Sequence, residues 1–151
     1  MFSVIFPGQG SQMVGMGTNL FNKYDSVKKL FSEADQILSH SISKLILEGP
    51  KEKLDLTENT QPAIFLISYS IFNVIKNEHG INLNKAAYFA GHSLGEYSAL
   101  AASNVLSFSD GLKILNIRGK AMQLAVPKGE GGMLAVLGTD IEKIEQIVNN
   151  F

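Results

Sequence analysis

Apolar and polar positions change their spacing several times along the chain, and each change marks an element. Val4-Ile5-Phe6 is a short apolar run that predicts a strand, followed by turn chemistry in Pro7-Gly8-Gln9-Gly10-Ser11-Gln12. Val27, Leu30, Phe31, Ala34 and Leu38 recur at helical spacing among lysines and glutamates, which predicts a helix over 25–38. A shorter helical stretch, Ile42 to Leu47, stops at Glu48-Gly49-Pro50, and 51–59 reads as a polar connection. Thr60-Gln61-Pro62 then opens the longest helix, with Thr60 expected as N-cap and Pro62 in the first turn. Ile64, Ile67, Ile71, Val74 and Ile75 make its core stripe, widened by Phe65, Leu66 and Phe72, and His79-Gly80 is its expected C-terminal cap.

A second apolar strand, Ala86 to Ala90, runs into Gly91-His92-Ser93-Leu94-Gly95, and a helical pattern continues from Leu94 to Leu106. Ser107 or Ser109 caps a further helix with Leu112, Leu115 and Met122 at core spacing, ending before Pro127. Gly129 to Gly132 reads as a linker, Met133 to Leu137 as a third strand, and Thr139-Asp140-Ile141-Glu142 as a capping box before a helix with Ile141, Ile144, Ile147 and Val148 on one face. Strands alternating with long helices predict an α/β domain built on a parallel sheet covered on both faces. A lone strand–helix unit cannot bury both of its faces. The expected division is therefore a large α/β part over 1–127 and the first, incomplete piece of a smaller one over 128–151.

Composition removes several classes of function. Among 151 residues, 13 Lys+Arg face 14 Asp+Glu, a net charge of −1, so there is no electrostatic footprint for nucleic acid or an anionic membrane. No apolar run is long enough to span a bilayer, and the first six residues lack the basic start of a signal peptide, which makes the cytoplasm the expected compartment. The absence of cysteine excludes thiolate catalysis and Cys-type zinc sites, and three scattered histidines give no metal-ligand spacing.

Gly91-His92-Ser93-Leu94-Gly95 matches G-x-S-x-G between a predicted strand and a predicted helix, the setting this motif requires. A sharp strand-to-helix turn lifts the serine hydroxyl out of the sheet. The helix N-terminus then aims unpaired N–H groups at the reacting centre, that of Leu94 first. His92 is adjacent to Ser93 and is rejected as its base, because neighbouring side chains at a tight turn diverge; it is expected to support the turn or line the pocket. His79 reads as a helix cap and His40 as solvated. Gly8-x-Gly10 lacks the third glycine of a dinucleotide fingerprint and the Lys-Ser/Thr of a phosphate loop, so no nucleotide cofactor or metal is implied.

Phe6-Pro7-Gly8-Gln9-Gly10-Ser11-Gln12, Gln61-Pro62-Ala63, Gly91-His92-Ser93-Leu94-Gly95-Glu96-Tyr97, Arg118-Gly119-Lys120-Ala121-Met122-Gln123 and Gly132-Met133-Leu134-Ala135-Val136-Leu137-Gly138 follow one another in the order found in the malonyl-CoA:acyl carrier protein transacylases of bacterial fatty acid synthesis, which the chain resembles from end to end. It is similar, more loosely, to acyltransferase domains of fatty acid and polyketide synthases. The resemblance implies an α/β-hydrolase-like parallel-sheet core with the start of a small ferredoxin-like α+β subdomain. It also implies Ser93 as nucleophile, the backbone N–H groups of Gln9 and Leu94 as oxyanion hole, Arg118 as partner of the free malonyl carboxylate, and His92 as the non-basic neighbour of the serine. The implied partners are malonyl-CoA, as a coenzyme A thioester substrate, and acyl carrier protein.

The same resemblance implies that only the N-terminal half of the usual domain is present and that the family's general-base histidine lies beyond Phe151, on a complementary C-terminal half. Two further readings stay open on the residues alone: a serine esterase or thioesterase, and a non-catalytic remnant that binds coenzyme A or acyl carrier protein.

Overall fold

A computed structural model describes residues 1–126, 130, 134 and 136–150. Strand β1 (Ser3–Phe6) is followed by five helices: α1 (Thr18–Lys23), α2 (Asp25–Leu38), α3 (Ile42–Glu48), α4 (Lys51–Leu54) and α5 (Thr57–Asn73). A π-helical turn, Val74–Glu78, and a 3-10 turn, Leu83–Lys85, lead into β2 (Tyr88–Gly91). Helices α6 (Gly95–Ala102), α7 (Phe108–Ala125) and α8 (Ile141–Val148) complete the order. The result is an α/β fold that is mostly helical, with a small parallel sheet: β1 pairs with β2 in the register Ser3↔Tyr88 to Phe6↔Gly91.

The core has two parts. Val27, Phe31 and Ala34 of α2 pack with Ile42 and Ile46 of α3, Leu54 of α4, the Ala63–Ile67 stretch of α5 and Leu112 and Leu115 of α7. Beneath the sheet lie Phe6, Phe72, Leu83, Ala99 and Ala102. The stripe expected on α2 is the buried one. Helix α5 is enclosed on almost every side from Thr60 to Ser68, as its run of apolar residues predicts. Its exception is Ile71, which is exposed and faces an open cleft beside β1.

Several boundaries differ from the sequence reading, each for a local reason. The stretch read as a polar connection holds α4, a single turn pinned by the fully buried Leu54. Helix α5 therefore starts a turn early, with Leu56 and not Thr60 as N-cap. The Thr60 hydroxyl instead donates to Leu54 O at 2.6 Å, closing the C-terminal end of α4. Pro62 thus lies inside the helix, where it cannot donate to the carbonyl of Glu58. That carbonyl accepts from Asn116 Nδ2 of α7 at 3.3 Å instead. Ser107, of the two serines considered, caps α7: its Oγ accepts from Asp110 N at 3.0 Å. Met122 is exposed and not in the core. Helix α6 ends at Ala102, four residues early, because Asn104 adopts a left-handed φ of 62°.

Asp140, not Thr139, occupies the N-cap of α8, with no side-chain cap bond. Ile141, Ile147 and Val148 of α8 are exposed. The linker expected over 129–132 lies outside the described residues apart from Glu130, as do Met133 and Ala135 of the expected third strand. Leu134, Val136 and Leu137 are exposed and carry no regular structure. Helix α1 has no counterpart in the sequence reading; it buries no residue fully, so it leaves no stripe to find.

Helix α7 crosses α5 closely enough that a Cβ on Gly119 would stand 2.6 Å from Glu58 Cα and 2.7 Å from Thr57 O. Both are backbone atoms that cannot step aside. Gly119→Ala should therefore lower stability by about 1–3 kcal/mol, as overpacking does. Urea denaturation measures this, and a change below about 0.5 kcal/mol would mean that the helices separate freely.

Candidate active site

The site is assembled where β2 ends. Gly91 has no room for a side chain, because a Cβ there would run into the carbonyl of Gly95. A Cβ on Gly95 would stand 2.5 Å from Phe6 O and 2.7 Å from Pro7 O, so the start of α6 rests directly on the end of β1. Between these glycines the chain reverses through Ser93, which adopts a left-handed φ of 55°. A non-glycine residue held there stores strain, and such strain clusters at functional turns. Leu94 secures the turn from below with a side chain only 1% exposed. The bonds Gly95 N–H to His92 O (2.9 Å) and Glu96 N–H to Ser93 O (3.0 Å) start the helix.

The loop Pro7–Gln12 lies against this turn. His92 N–H donates to Phe6 O at 3.1 Å, and the ring and carbonyl of His92 fill the space where a Gly8 side chain would stand. Neither Gln9 N–H nor Leu94 N–H has a protein acceptor among the described residues. The Gln9 side chain points away and donates to Thr57 Oγ1 at 3.3 Å.

Arg118 reaches the turn from α7. Its Nη2 donates to Ser93 Oγ at 3.1 Å and its Nη1 to Gln61 Oε1 at 2.7 Å. Its guanidinium carbon is 6.0 Å from the centroid of the Tyr97 ring. Gln61 is fully buried near the N-terminal end of α5, and its Nε2 donates to Met122 Sδ at 3.2 Å. A half-buried guanidinium with two neutral acceptors is an unbalanced charge. Among the described residues the ion pairs are Lys28–Asp25 and Lys51–Asp55, and Arg118 has no carboxylate partner. An anion is what such a group lacks.

Ser93 and Arg118, singled out in the sequence, are thus brought together, and His92 and the backbone of Gly8 adjoin the turn. His40 is exposed, with its Nδ1 near Leu38 O, and His79 shares a hydrogen bond of 3.2 Å with the Tyr24 hydroxyl. Among the described residues no histidine or carboxylate bonds Ser93 Oγ; its side-chain partner is Arg118. Sequence reasoning gives no role to Gln61, Tyr97 or Gln12. For Gln61 a signal exists: it is the polar residue at the head of a run, Pro62 to Ile67, that is otherwise apolar and buried.

Gln12 ties the loop to α4. Its Oε1 accepts from Gly10 N–H at 2.8 Å, and its Nε2 donates to Asp55 Oδ1 at 2.9 Å. Lys51 pairs with the other carboxylate oxygen of Asp55. The hydrogen bond from Gln12, followed by that from Lys51, holds the Asp55 carboxyl below the ordinary aspartate range.

The acyl transferase domain family matches residues 3–150. The chain is 47% identical over 145 residues to the malonyl CoA-acyl carrier protein transacylase of Bacillus subtilis, covering 96% of this chain and 44% of that protein. It is 45% identical over 143 residues to the enzyme of the same name from Haemophilus influenzae, covering 95% of this chain and 45% of that one. Among solved structures, the acyl-carrier-protein-S-malonyltransferase of Bartonella henselae superposes with a TM-score of 0.89 at 43% identity over 99% of this chain and 48% of its own. A malonyl-transacylase in complex with a type II PKS acyl-carrier protein superposes with a TM-score of 0.88 at 39% identity, over 99% of this chain and 47% of its own. The chain therefore spans less than half the length of these relatives.

Two outcomes test the site itself. Ser93→Gly removes the strain of the left-handed turn and should raise stability in urea by about 0.5–1 kcal/mol, whereas a loss would show that the hydroxyl contact outweighs the strain. Because the Asp55 pKa is depressed by folding, its contribution to stability is present above the unfolded value and is lost as pH falls through the folded one. Gln12→Ala should move the Asp55 titration upward, which carboxyl NMR reads; an unmoved titration would place the cause elsewhere.

Proposed function

We propose that this chain, which belongs to the acyl transferase domain family, supplies the nucleophile and the acyl-binding arginine of a malonyl transferase. The reaction moves a malonyl group from malonyl-CoA to the phosphopantetheine thiol of acyl carrier protein in cytoplasmic fatty acid synthesis. One observation carries the reading: a guanidinium with no carboxylate partner among the described residues, locked by a buried amide, 3.1 Å from the hydroxyl of a strained strand-to-helix turn.

In the first half-reaction Ser93 Oγ attacks the thioester carbonyl, the C–S bond breaks, and coenzyme A leaves as its thiol with the serine's proton. In the second, the carrier's thiol attacks the ester, the C–O bond breaks, and the proton returns to Ser93 Oγ. Exchange between two thioesters is nearly isoenergetic, so an ester intermediate splits it into two similar displacements. The free N–H groups of Gln9 and Leu94 receive the oxyanion, each worth roughly 3 kcal/mol at the transition state. Arg118 retains unused N–H donors for the malonyl carboxylate, in a planar fork that lysine cannot copy. An acetyl group would leave that charge unmatched, which selects the diacid. His92 lines the approach beside the nucleophile. No resident cofactor or metal enters this reading, and coenzyme A arrives as part of the substrate.

The finer architecture follows the same proposal. Residues 1–127 form the α/β-hydrolase-like part and 128–151 begin a small ferredoxin-like subdomain. The outer face of the sheet, with Ile5 and Tyr88, the apolar face of α8 and the cleft of about 570 Å³ between β1 and α5 are open. Further protein of the kind the longer relatives carry, a complementary C-terminal half, would cover them and supply the general base that Ser93 needs. No helix among the described residues is long and apolar enough to cross a membrane.

A chimaera tests this directly: the chain replaces the matching segment of the Bacillus subtilis relative and is incubated with radiolabelled malonyl-CoA. Label should appear on Ser93, move to acyl carrier protein, and vanish in Ser93→Ala. Release of free malonate without transfer would identify a thioesterase, and binding without an ester a non-catalytic module. In the same chimaera Arg118→Ala should lower malonyl transfer by about ten- to a hundredfold while leaving or raising acetyl transfer. Equal loss on both acyl groups would refute the carboxylate clamp.

A further inference from the structure

The loop that carries Gln9 belongs to no helix or strand, yet an oxyanion donor works only if its direction is fixed before the reaction begins. We propose that Gln12 is the positioning residue of this loop, clamping it to the α4–α5 junction through Asp55. The catalytic consequence rests on the reading of Gln9 N–H as an oxyanion donor; the clamp itself does not.

The geometry asks for a glutamine. Gln12 Oε1 accepts from Gly10 N–H at 2.8 Å, one peptide along from the Gln9 N–H, while Nε2 of the same amide donates to Asp55 Oδ1 at 2.9 Å. One side chain must accept and donate at once, which an amide does and an ionised carboxylate does not. Asp55 is anchored in turn: its N–H donates to Lys51 O at 2.9 Å and its carboxylate pairs with Lys51. The loop has two smaller ties, Ser11 Oγ to Gly8 O at 2.9 Å within it and Gln9 Nε2 to Thr57 Oγ1 at 3.3 Å. Each of these uses a hydroxyl, whereas the Gln12 contact ends on an ionised acceptor and is the stronger kind.

Gln12→Glu keeps the acceptor for Gly10 N–H but sets two carboxylates against each other. Asp55→Asn alone keeps an acceptor for Gln12. The pair together restores the arrangement with donor and acceptor exchanged, since the amide introduced by Asp55→Asn can donate to the carboxylate introduced by Gln12→Glu. Both the chain itself and the chimaera serve as the sample, and amide exchange of the segment 8–12 is followed by mass spectrometry. Exchange should accelerate about tenfold in Gln12→Glu, by a smaller factor of about two to three in Asp55→Asn, whose neutral acceptor makes the weaker bond, and return to within about twofold of the parent in the double variant. In the chimaera kcat should fall about tenfold in Gln12→Glu with KM for malonyl-CoA unchanged, and recover in the double variant. Unaltered exchange in Gln12→Glu, or a double variant no better than that single one, overturns the clamp. Faster exchange that the double variant reverses, with kcat constant throughout, upholds the clamp and overturns the oxyanion role of Gln9 instead.

Discussion

An arginine held against a serine by a buried amide is the contact from which the rest of the site can be understood. Gln61 Oε1 receives one arm of the Arg118 guanidinium at 2.7 Å, and the other arm donates to Ser93 Oγ at 3.1 Å. Both acceptors are neutral, and no carboxylate among the described residues cancels the positive charge. Taking charge out of water is costly unless it is paired. Beside a strained hydroxyl, such a group is chemically suited to an incoming anion. In the reaction proposed above, a short diacid ester supplies that anion.

Holding the contact is a matter of how closely backbones can approach. Four segments distant in sequence converge on it: the end of β1, the turn after β2, the start of α5, and α7 where it crosses α5. Gly95 lets α6 rest on the carbonyls of Phe6 and Pro7, and Gly119 lets α7 touch the backbone at the start of α5. Pro62 withholds an N–H from Glu58 O, and Asn116 reaches across from α7 to satisfy that carbonyl. The same crossing that repairs the helix delivers Arg118, two residues further on, to Gln61. Packing and chemistry share one interface here, so a residue that loosens the helices also moves the charge.

Much of this is legible in the sequence. The strand–Gly-x-Ser-x-Gly–helix order announces the turn because only that order places glycines where backbones collide. The α2 stripe is legible because one of its faces is buried and the other wet. The start of α5 is misread because Thr60 looks like a cap, and only the tertiary contact with Leu54 O shows its hydroxyl turned to the preceding helix. Met122 sits at core spacing yet is exposed, since periodicity reports a face and not what covers it. Arg118 is found through resemblance, because a lone arginine on a helix carries no local sign of its partner. Gln61 and Gln12 escape because their meaning lies in hydrogen bonds spanning 57 and 43 residues, a separation that no local pattern encodes.

The most direct measurement is a crystal structure of the chimaera trapped with malonyl-CoA. The expected density is an ester on Ser93 Oγ with the distal carboxylate within hydrogen-bond reach of Arg118 and the carbonyl oxygen facing the Gln9 and Leu94 N–H groups. An acyl group on another side chain, or an ester on Ser93 whose carboxylate turns to solvent away from Arg118, would contradict it.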